Sequence, residues 1–378
     1  MAPSRVLLSV AGLALCLCTA SASFLGPNPG STPLGTDSTG LYDAGYVYIS
    51  DVQSYINMTL DYCDIVAAVT AGDNETALDI YLYGKNAEKG AVYRTFREWA
   101  VANHTGEYFY DLLAEYNDMD TLDAGTRAAI GASDLPAVEH FLHIMRVKYA
   151  YHEYDAAVFN TGLNNTAPDS GAPHNLDEAL AMFLGSGFSC PGATEYAVMQ
   201  ANAQMMGTAV SGMAPGAIAV PRHGMAALIG SAAFNDTDAV EAAYHAIREE
   251  TLVTKLQTLM LHAYAKTAMA WTDCADGSVH MSELIGILRW LVDPMLHGFL
   301  VDQGMSTNAT MARMEAFDAD MAEAMSYHGV GTAVLRVVDD TTITGCRLGA
   351  PTEAAREDAL AWQAKYCTEE VMEMSMGM

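Results

Sequence analysis

The segment spanning residues 135–155 constrains the fold more than any other part of the chain. Leu135 and Pro136 open it, and proline is well tolerated in the first turn of a helix. The side chains that follow recur with a 3.6-residue period and predict a long helix. Helical spacing recurs at residues 51–69, 75–83, 106–116, 284–292, 311–325 and 350–372. The sequence therefore predicts an all-α protein, in which residues 332–344, rich in valine and threonine, form at most a minor β element.

The long helix carries metal-binding side chains at helical spacing. Neighbouring positions on its faces pair Glu139 with His143, Tyr149 with His152 and Glu153, and Tyr151 with Asp155. Phenol, imidazole and carboxylate groups together suit a hard or borderline cation such as ferric iron. The alternative is a core helix whose few polar groups hydrogen-bond within the protein.

A second candidate element is the run Ala172-Pro173-His174-Asn175-Leu176-Asp177-Glu178-Ala179. Asn175 is expected to cap a helix that starts near it, with Asp177 and Glu178 in the first turn, where the helix dipole favours negative charge. His174 would then lie at the N-terminus of the helix, close to two carboxylates. A metal site or a proton-transfer site requires such a combination of groups. A capped helix preceded by an ordinary loop histidine is the simpler interpretation.

The second half of the chain contains a weaker version of the same pattern. Residues 259–266 are similar to residues 144–151, and each stretch is followed by a loop ending in His-x-x-acid, with His280 and Glu283 in the second copy. A possible second metal site comprises Glu241, Tyr244, His245, His280 and Glu283. We therefore predict two related helical bundles, residues 46–195 and 196–378, although chance similarity between alanine-rich helices is an alternative.

The beginning of the chain predicts secretion. Residues 1–22 read as a signal peptide, with a short apolar run and a small-residue cleavage site, and residues 23–45 as a flexible lead-in. No later stretch is long enough to predict a membrane span. Six Asn-x-Ser/Thr sites predict a glycoprotein: Asn57, Asn74, Asn103, Asn164, Asn235 and Asn308. The five cysteines after the signal predict one or two disulfides, with Cys346 to Cys367 the most local pair.

The net charge of the chain restricts the classes of molecule that it can bind. The formal net charge is −28 at pH 7, which argues against nucleic acid or an anionic membrane as partner and favours cations. Basic residues are scarce, so Lys85, Arg94 and Arg97 stand out as a local patch that could hold an anion. Ordinary ion pairing is the alternative for this patch.

Four motifs in this order resemble the Fea-type periplasmic iron-assimilation proteins of green algae, a family related to the phytotransferrins. They are Gly84-Lys85-Asn86, Arg94-Thr95, residues 151–157 and residues 172–179. The resemblance covers residues 46–367 in organisation, but Lys266-Thr267-Ala268 replaces the first half's His152-Glu153-Tyr154. It implies a protein of the periplasm or cell-wall region that captures ferric iron for uptake machinery at the cell surface or plasma membrane. It also implies carbonate as a synergistic anion, held by Lys85, Arg94 and Arg97.

We therefore predict a ferric site and no enzymatic activity. The candidate ligands are Tyr149, Tyr151, His152, Glu153, Asp155, His174, Asp177 and Glu178, some of which must orient the others because coordination rarely exceeds about six. One alternative is a secreted metal-dependent hydrolase of imelysin-like helical architecture, with Glu153 or Glu178 as general base. Another is a non-catalytic acidic extracellular protein.

Overall fold

The described part of the chain is almost entirely helical. The computed structural model describes residues 50–167, 169–185, 194–208, 237–268, 275–323, 327–339, 341–343, 348–351 and 355. The helices are α1 Gln53–Thr70, α2 Asn74–Tyr83, α3 Phe96–Val101, α4 Tyr108–Tyr116, α5 Thr121–Gly131, α6 Leu135–Gly162, α7 Ala172–Leu184, α8 Glu195–Met205, α9 Thr237–Ala268, α10 Ala275–Asp302, α11 Thr307–Glu323 and α12 Tyr327–Val337. A two-stranded antiparallel hairpin pairs β1 Glu88–Lys89 with β2 Val92–Tyr93. The prediction of an all-α protein with minor β structure is confirmed.

Helix α6 lies at the centre of the packing. Asp134 caps its first turn by accepting a hydrogen bond from the backbone N–H of Ala137, and Pro136 occupies the position where proline is tolerated. Helices α1, α3, α4, α5, α7, α9 and α10 all pack against it. Because so many elements surround α6, even its polar side chains Arg146, Lys148 and Glu153 are buried.

The two halves of the chain share one hydrophobic core. Helix α10 packs along α4, and α9 packs against α6, α8, α10 and α12. Polar contacts also cross between the halves, since the Tyr116 hydroxyl lies 2.9 Å from Nδ1 of His297 and the Asn117 side chain donates to the carbonyl of Trp290. The internal repeat and the division at residues 195 and 196 stay predictions, and that division coincides with the first turn of α8.

Three element boundaries differ from the sequence prediction. Helix α7 begins at Ala172, because Pro173 fits the first turn instead of preceding it. Residues 332–337 of the predicted β stretch are helical, because Val330, Val334 and Val337 bury one face at helical spacing, and packing of that face overrides β propensity. Helix α10 begins at Ala275, where a loop was expected, and continues through Pro294.

Other predictions fall partly or wholly outside the described residues. The signal peptide, the lead-in and the Cys346 to Cys367 pair lie outside them. Cys63 of α1 is disulfide-bonded, in agreement with an oxidising compartment. No described helix combines the length and the apolar character needed to cross a membrane.

Candidate metal centre

A pair of buried glutamates forms the middle of the candidate site. Glu153 extends from α6 and Glu178 from α7, and the two carboxyl groups lie close enough for each to shift the pKa of the other. Nδ2 of Asn175 donates to Oε2 of Glu153 at 2.8 Å, and Nε2 of His174 lies 3.0 Å from Oε1 of Glu178. The side chains of Glu153 and Glu178 are only 4% and 6% exposed. Two carboxyl groups removed from water in this way need charge compensation.

The two glutamates differ in protonation. Burial and the neighbouring charge of Glu178 raise the pKa of Glu153 well above its usual value. Burial also acts to raise the pKa of Glu178, but the hydrogen bond and charge of His174 outweigh it and leave that pKa below its usual value. The same hydrogen bond raises the pKa of His174. The pair therefore holds its proton on Glu153 and its negative charge on Glu178.

Two tyrosines face this pair. The hydroxyl of Tyr55, on α1, donates to Oε1 of Glu153 at 3.4 Å, and Tyr149 precedes Glu153 by one turn of α6. The ring of Trp99 stacks on both, with centroids 6.5 Å from Tyr55 and 5.1 Å from Tyr149. Burial raises the pKa of Tyr149 to about 12 and that of Tyr55 still further, and the negative charge of the glutamate pair acts in the same direction. Both phenols are thus neutral near pH 7.

Arg94 closes the site on the side of the hairpin. Its guanidinium carbon lies 3.7 Å from the centroid of the Tyr55 ring, and its Nε donates to the hydroxyl of Ser54. One terminal nitrogen lies 3.7 Å from Oε1 of Glu178, too long for a hydrogen bond. This buried nitrogen and Nδ1 of His174 find no hydrogen-bond partner among the described residues. Two buried polar atoms beside the carboxyl pair therefore have no hydrogen-bond partner within the described structure.

A second group of ligands, His104, Glu107 and His152, adjoins the first. Nδ1 of His152 lies 2.8 Å from both carboxylate oxygens of Glu107, and the rings of His104 and His152 stack with centroids 3.7 Å apart. Burial, and then the charge of His152, lower the pKa of His104 to about 4, so His104 is neutral near pH 7. Nε2 of His152 lies 4.0 Å from Oε1 of Glu153, so the two groups are adjacent.

The structure brings some of the predicted ligands of the first half together and places the others elsewhere. Tyr149, Glu153, His174 and Glu178 come together, and His152 borders them. The others serve elsewhere: Tyr151 packs against Phe109, Asp155 accepts from the backbone N–H of Phe109, and Asp177 accepts two hydrogen bonds from Ser50. Burial raises the pKa of Asp155 to about 6.

Only one residue of the predicted anion patch reaches the carboxyl pair. Arg94 approaches Glu178, whereas Arg97 is exposed on α3 and Lys85 forms a surface ion pair with Asp64 at 2.8 Å. The predicted cap at Asn175 is wrong, because its side chain binds Glu153 instead of the backbone of its own helix.

Sequence reasoning missed Tyr55, His104 and Glu107. Tyr55 is one of several buried tyrosines in the chain, and His104 and Glu107 lie in and beside a loop before α4. The spacing of His104 and Glu107 is itself a His-x-x-acid pattern, the same signal that directed attention to His174 and His280.

The predicted second site is built differently from the first. Nδ1 of His245 lies 3.0 Å from Oδ2 of Asp302, and Arg248 lies within 2.7 Å of both residues. Glu241 is 3.7 Å from the other imidazole nitrogen, while Tyr244 is buried against Tyr154. A guanidinium at this position disfavours a cation. The side chains of His280 and Glu283 lie outside the described part of α10.

Comparison with known proteins gives one family-level similarity. A model of the Fea1 family, described as low iron-inducible periplasmic protein, matches residues 25–373. Neither the curated proteins nor the solved structures contain a significant match to the chain.

Proposed function

The chain belongs to the Fea1 family of low iron-inducible periplasmic proteins, and on this premise we propose that it binds ferric iron for uptake by the cell. The observation that supports the proposal is the buried convergence of two phenols, two carboxyl groups and one imidazole. These groups belong to Tyr55, Tyr149, Glu153, Glu178 and His174. They come from three helices, so one bound ion would join α1, α6 and α7.

The chemistry of these donors favours a trivalent ion. Carboxylate and phenolate oxygens are hard ligands, and imidazole is a common ligand of iron. Glu178 supplies one negative charge, while Glu153 and both phenols hold protons that a strongly charged cation displaces. A doubly charged ion would recover less electrostatic energy for releasing the same protons.

Arg94 fits the role of an anion partner in this site. Its guanidinium is held flat on the ring of Tyr55, and one of its buried nitrogens has no acceptor within the described structure. A carbonate bound to this nitrogen would balance the positive charge that iron and Arg94 together bring into the site. We propose that Arg94, rather than Lys85 or Arg97, holds such an anion.

The proposed function is capture and delivery without catalysis. The strongly acidic surface favours accumulation of cations and disfavours nucleic acid as a partner. We propose that the protein passes its iron to uptake machinery at the cell surface or plasma membrane.

Titration of the mature protein with ferric citrate in bicarbonate buffer tests the proposal. We expect one equivalent of iron at this site and a visible phenolate-to-iron charge-transfer band. Tyr149→Phe should shift or weaken the band, because it removes a ligand oxygen. Tyr151→Phe is the matched control, since its ring packs against Phe109 on another face of α6.

A second pair of variants tests the carboxyl groups. Glu178→Gln should weaken iron binding by roughly 100-fold or more, because it removes the charged carboxylate. Asp155→Asn changes a half-buried carboxyl of α6 outside the site and should leave iron binding unchanged. Absence of both stoichiometric iron and the band in the parent protein would contradict the proposal, as would equal binding by the two variants.

A further inference from the structure

We propose that His104, Glu107 and His152 form a binding site for a divalent transition-metal ion, separate from the buried glutamate pair. The inference goes beyond ferric-iron capture and stands whether or not the glutamate pair binds iron. We call these three residues the imidazole site.

The geometry of the imidazole site is that of a preformed chelate. One ligand atom from each of the three residues lies within 4.8 Å of the other two. Nδ1 of His104 is 3.8 Å from Oε1 of Glu107, and Nδ1 of His152 is 2.8 Å from the same carboxylate. A metal ion bound at these nitrogens would take the place of the close contact between His152 and Glu107, so only small side-chain movements are needed.

Backbone features hold two of the ligands in place. Glu107 occupies the N-cap position of α4, yet its side chain makes no capping hydrogen bond and points to His152. Its backbone N–H donates to the carbonyl of His104, which fixes the spacing of these two residues. The backbone N–H of Gly106 donates to Asp111, and the positive φ of Gly106, +98°, suits glycine. The loop is thus ordered around the ligands.

The ring of His104 presents Nδ1 to the site, since this nitrogen faces the carboxylate of Glu107. Nε2 on the opposite side of the ring is buried and finds no hydrogen-bond partner among the described residues, so hydrogen bonds at that side do not fix the ring. The ring contacts are with His152, Tyr149 and Tyr110, which position it without binding its nitrogen.

The donor set selects a different metal from that of the glutamate pair. Two imidazoles and one carboxylate with open coordination positions are typical of Fe²⁺ sites, and the same ligands bind Zn²⁺ and Co²⁺. The glutamate pair offers mainly oxygen donors and is almost fully buried. Side chains of the imidazole site are 15%, 28% and 21% exposed, so solvent and a hydrated ion reach them directly.

Titration of the metal-free mature protein with Co²⁺, which gives visible bands with nitrogen ligands, tests the imidazole site. We expect one Co²⁺ per chain with such bands, displaced by Zn²⁺ in equal amount. His104→Gln and Glu107→Gln should each reduce Co²⁺ affinity at least 10-fold. Both residues lie outside helix interiors, and circular dichroism checks that each variant is folded.

His245→Gln is the matched control, because His245 is also paired with carboxylates, at Glu241 and Asp302. It should leave the Co²⁺ bands unchanged. Glu178→Gln should also retain them while losing ferric iron, which separates this site from the proposed ferric site. Loss of the bands in either of these two variants overturns the inference, as does an unchanged affinity in His104→Gln or the absence of bound Co²⁺.

Discussion

Single residues around the glutamate pair set the charge of the candidate site. Glu153 and Glu178 together carry one charge because burial and their mutual repulsion keep a proton on Glu153. His174 and Arg94 lie against the remaining charge. In a site with this charge balance, we expect the most favourable binding free energy for a cation that displaces several protons and that binds together with an anion hydrogen-bonded to Arg94.

Arg94 and Arg97 offer a controlled test of the anion. We predict that bicarbonate strengthens ferric-iron binding by the parent protein and that Arg94→Gln loses most of this enhancement, by 10-fold or more. The reason is that the guanidinium donor is buried beside Glu178 and cannot be replaced from solvent. Isothermal titration calorimetry with and without bicarbonate measures the effect.

Arg97→Gln is expected to keep the full bicarbonate effect, because Arg97 is exposed one turn further along the chain. Equal behaviour of the two variants would assign the anion effect to general electrostatics instead of a clamp.

Helical spacing explains which parts of the site were predictable from the sequence. Tyr149 and Glu153 are four residues apart on α6, as are His174 and Glu178 on α7, so each pair follows from the helical period. The meeting of the two pairs with Tyr55 depends on the packing of α1, α6 and α7, which no local pattern encodes. Tyr151 and Asp155 met the same spacing rule and lie elsewhere, which shows the limit of that rule.

At the scale of elements, the short helix α3 positions the aromatic side of the site. It has six residues, too few to be stable alone. A capping box between Thr95 and Glu98 holds its first turn, and the buried ammonium group of Lys148 donates to the carbonyls of Trp99, Ala100 and Ala102 at its end. These contacts fix Trp99 against the two tyrosines.

Removal of the Lys148 ammonium group tests whether its hydrogen bonds stabilise the end of α3. We predict that Lys148→Met lowers the free energy of unfolding by about 2–4 kcal/mol, because three carbonyl groups lose a charged donor. Denaturant unfolding followed by tryptophan fluorescence gives the value.

Lys85→Met provides the comparison, since Lys85 forms a surface ion pair with Asp64. Pairs of this kind contribute less than about 1 kcal/mol. A loss as small for Lys148→Met as for Lys85→Met would show that α3 is held by apolar packing alone.

Most helices were predictable from local signals, and the exceptions share one cause. Leu135 and Pro136 correctly marked the start of α6, and Asp73 caps α2 near its predicted start. Residues 332–337 belong to the stretch with β-forming composition, yet they are helical because Val334 and Val337 lie in the core at helical spacing. Pro294 lies within α10, where Met295 and Leu296 are buried and packing outweighs the lost hydrogen bond.

At the scale of the whole molecule, the two predicted bundles are joined through α6. The ring of Tyr154 on α6 stacks on the ring of Tyr244 on α9, with centroids 5.6 Å apart. The ring centroid of Tyr151 lies 5.8 Å from that of Tyr244. Helix α4 packs along α10. The site itself, by contrast, is assembled from helices of the first half. Helices α9 and α10 of the second half thus cover α4 and α6 without contributing a residue to the candidate site.

Separate expression of residues 46–195 and 196–378 tests whether either half folds without the other. We predict that neither half unfolds cooperatively alone, because the first half would expose the apolar faces of α4 and α6 that α9 and α10 cover. Each half should bind a hydrophobic dye, and the first half should bind ferric iron much more weakly than the full chain. Mixing the halves should restore cooperative unfolding in circular dichroism, because the interface is a continuous core. A first half that unfolds cooperatively and binds iron as the full chain does would instead establish two autonomous bundles, with the second serving another purpose.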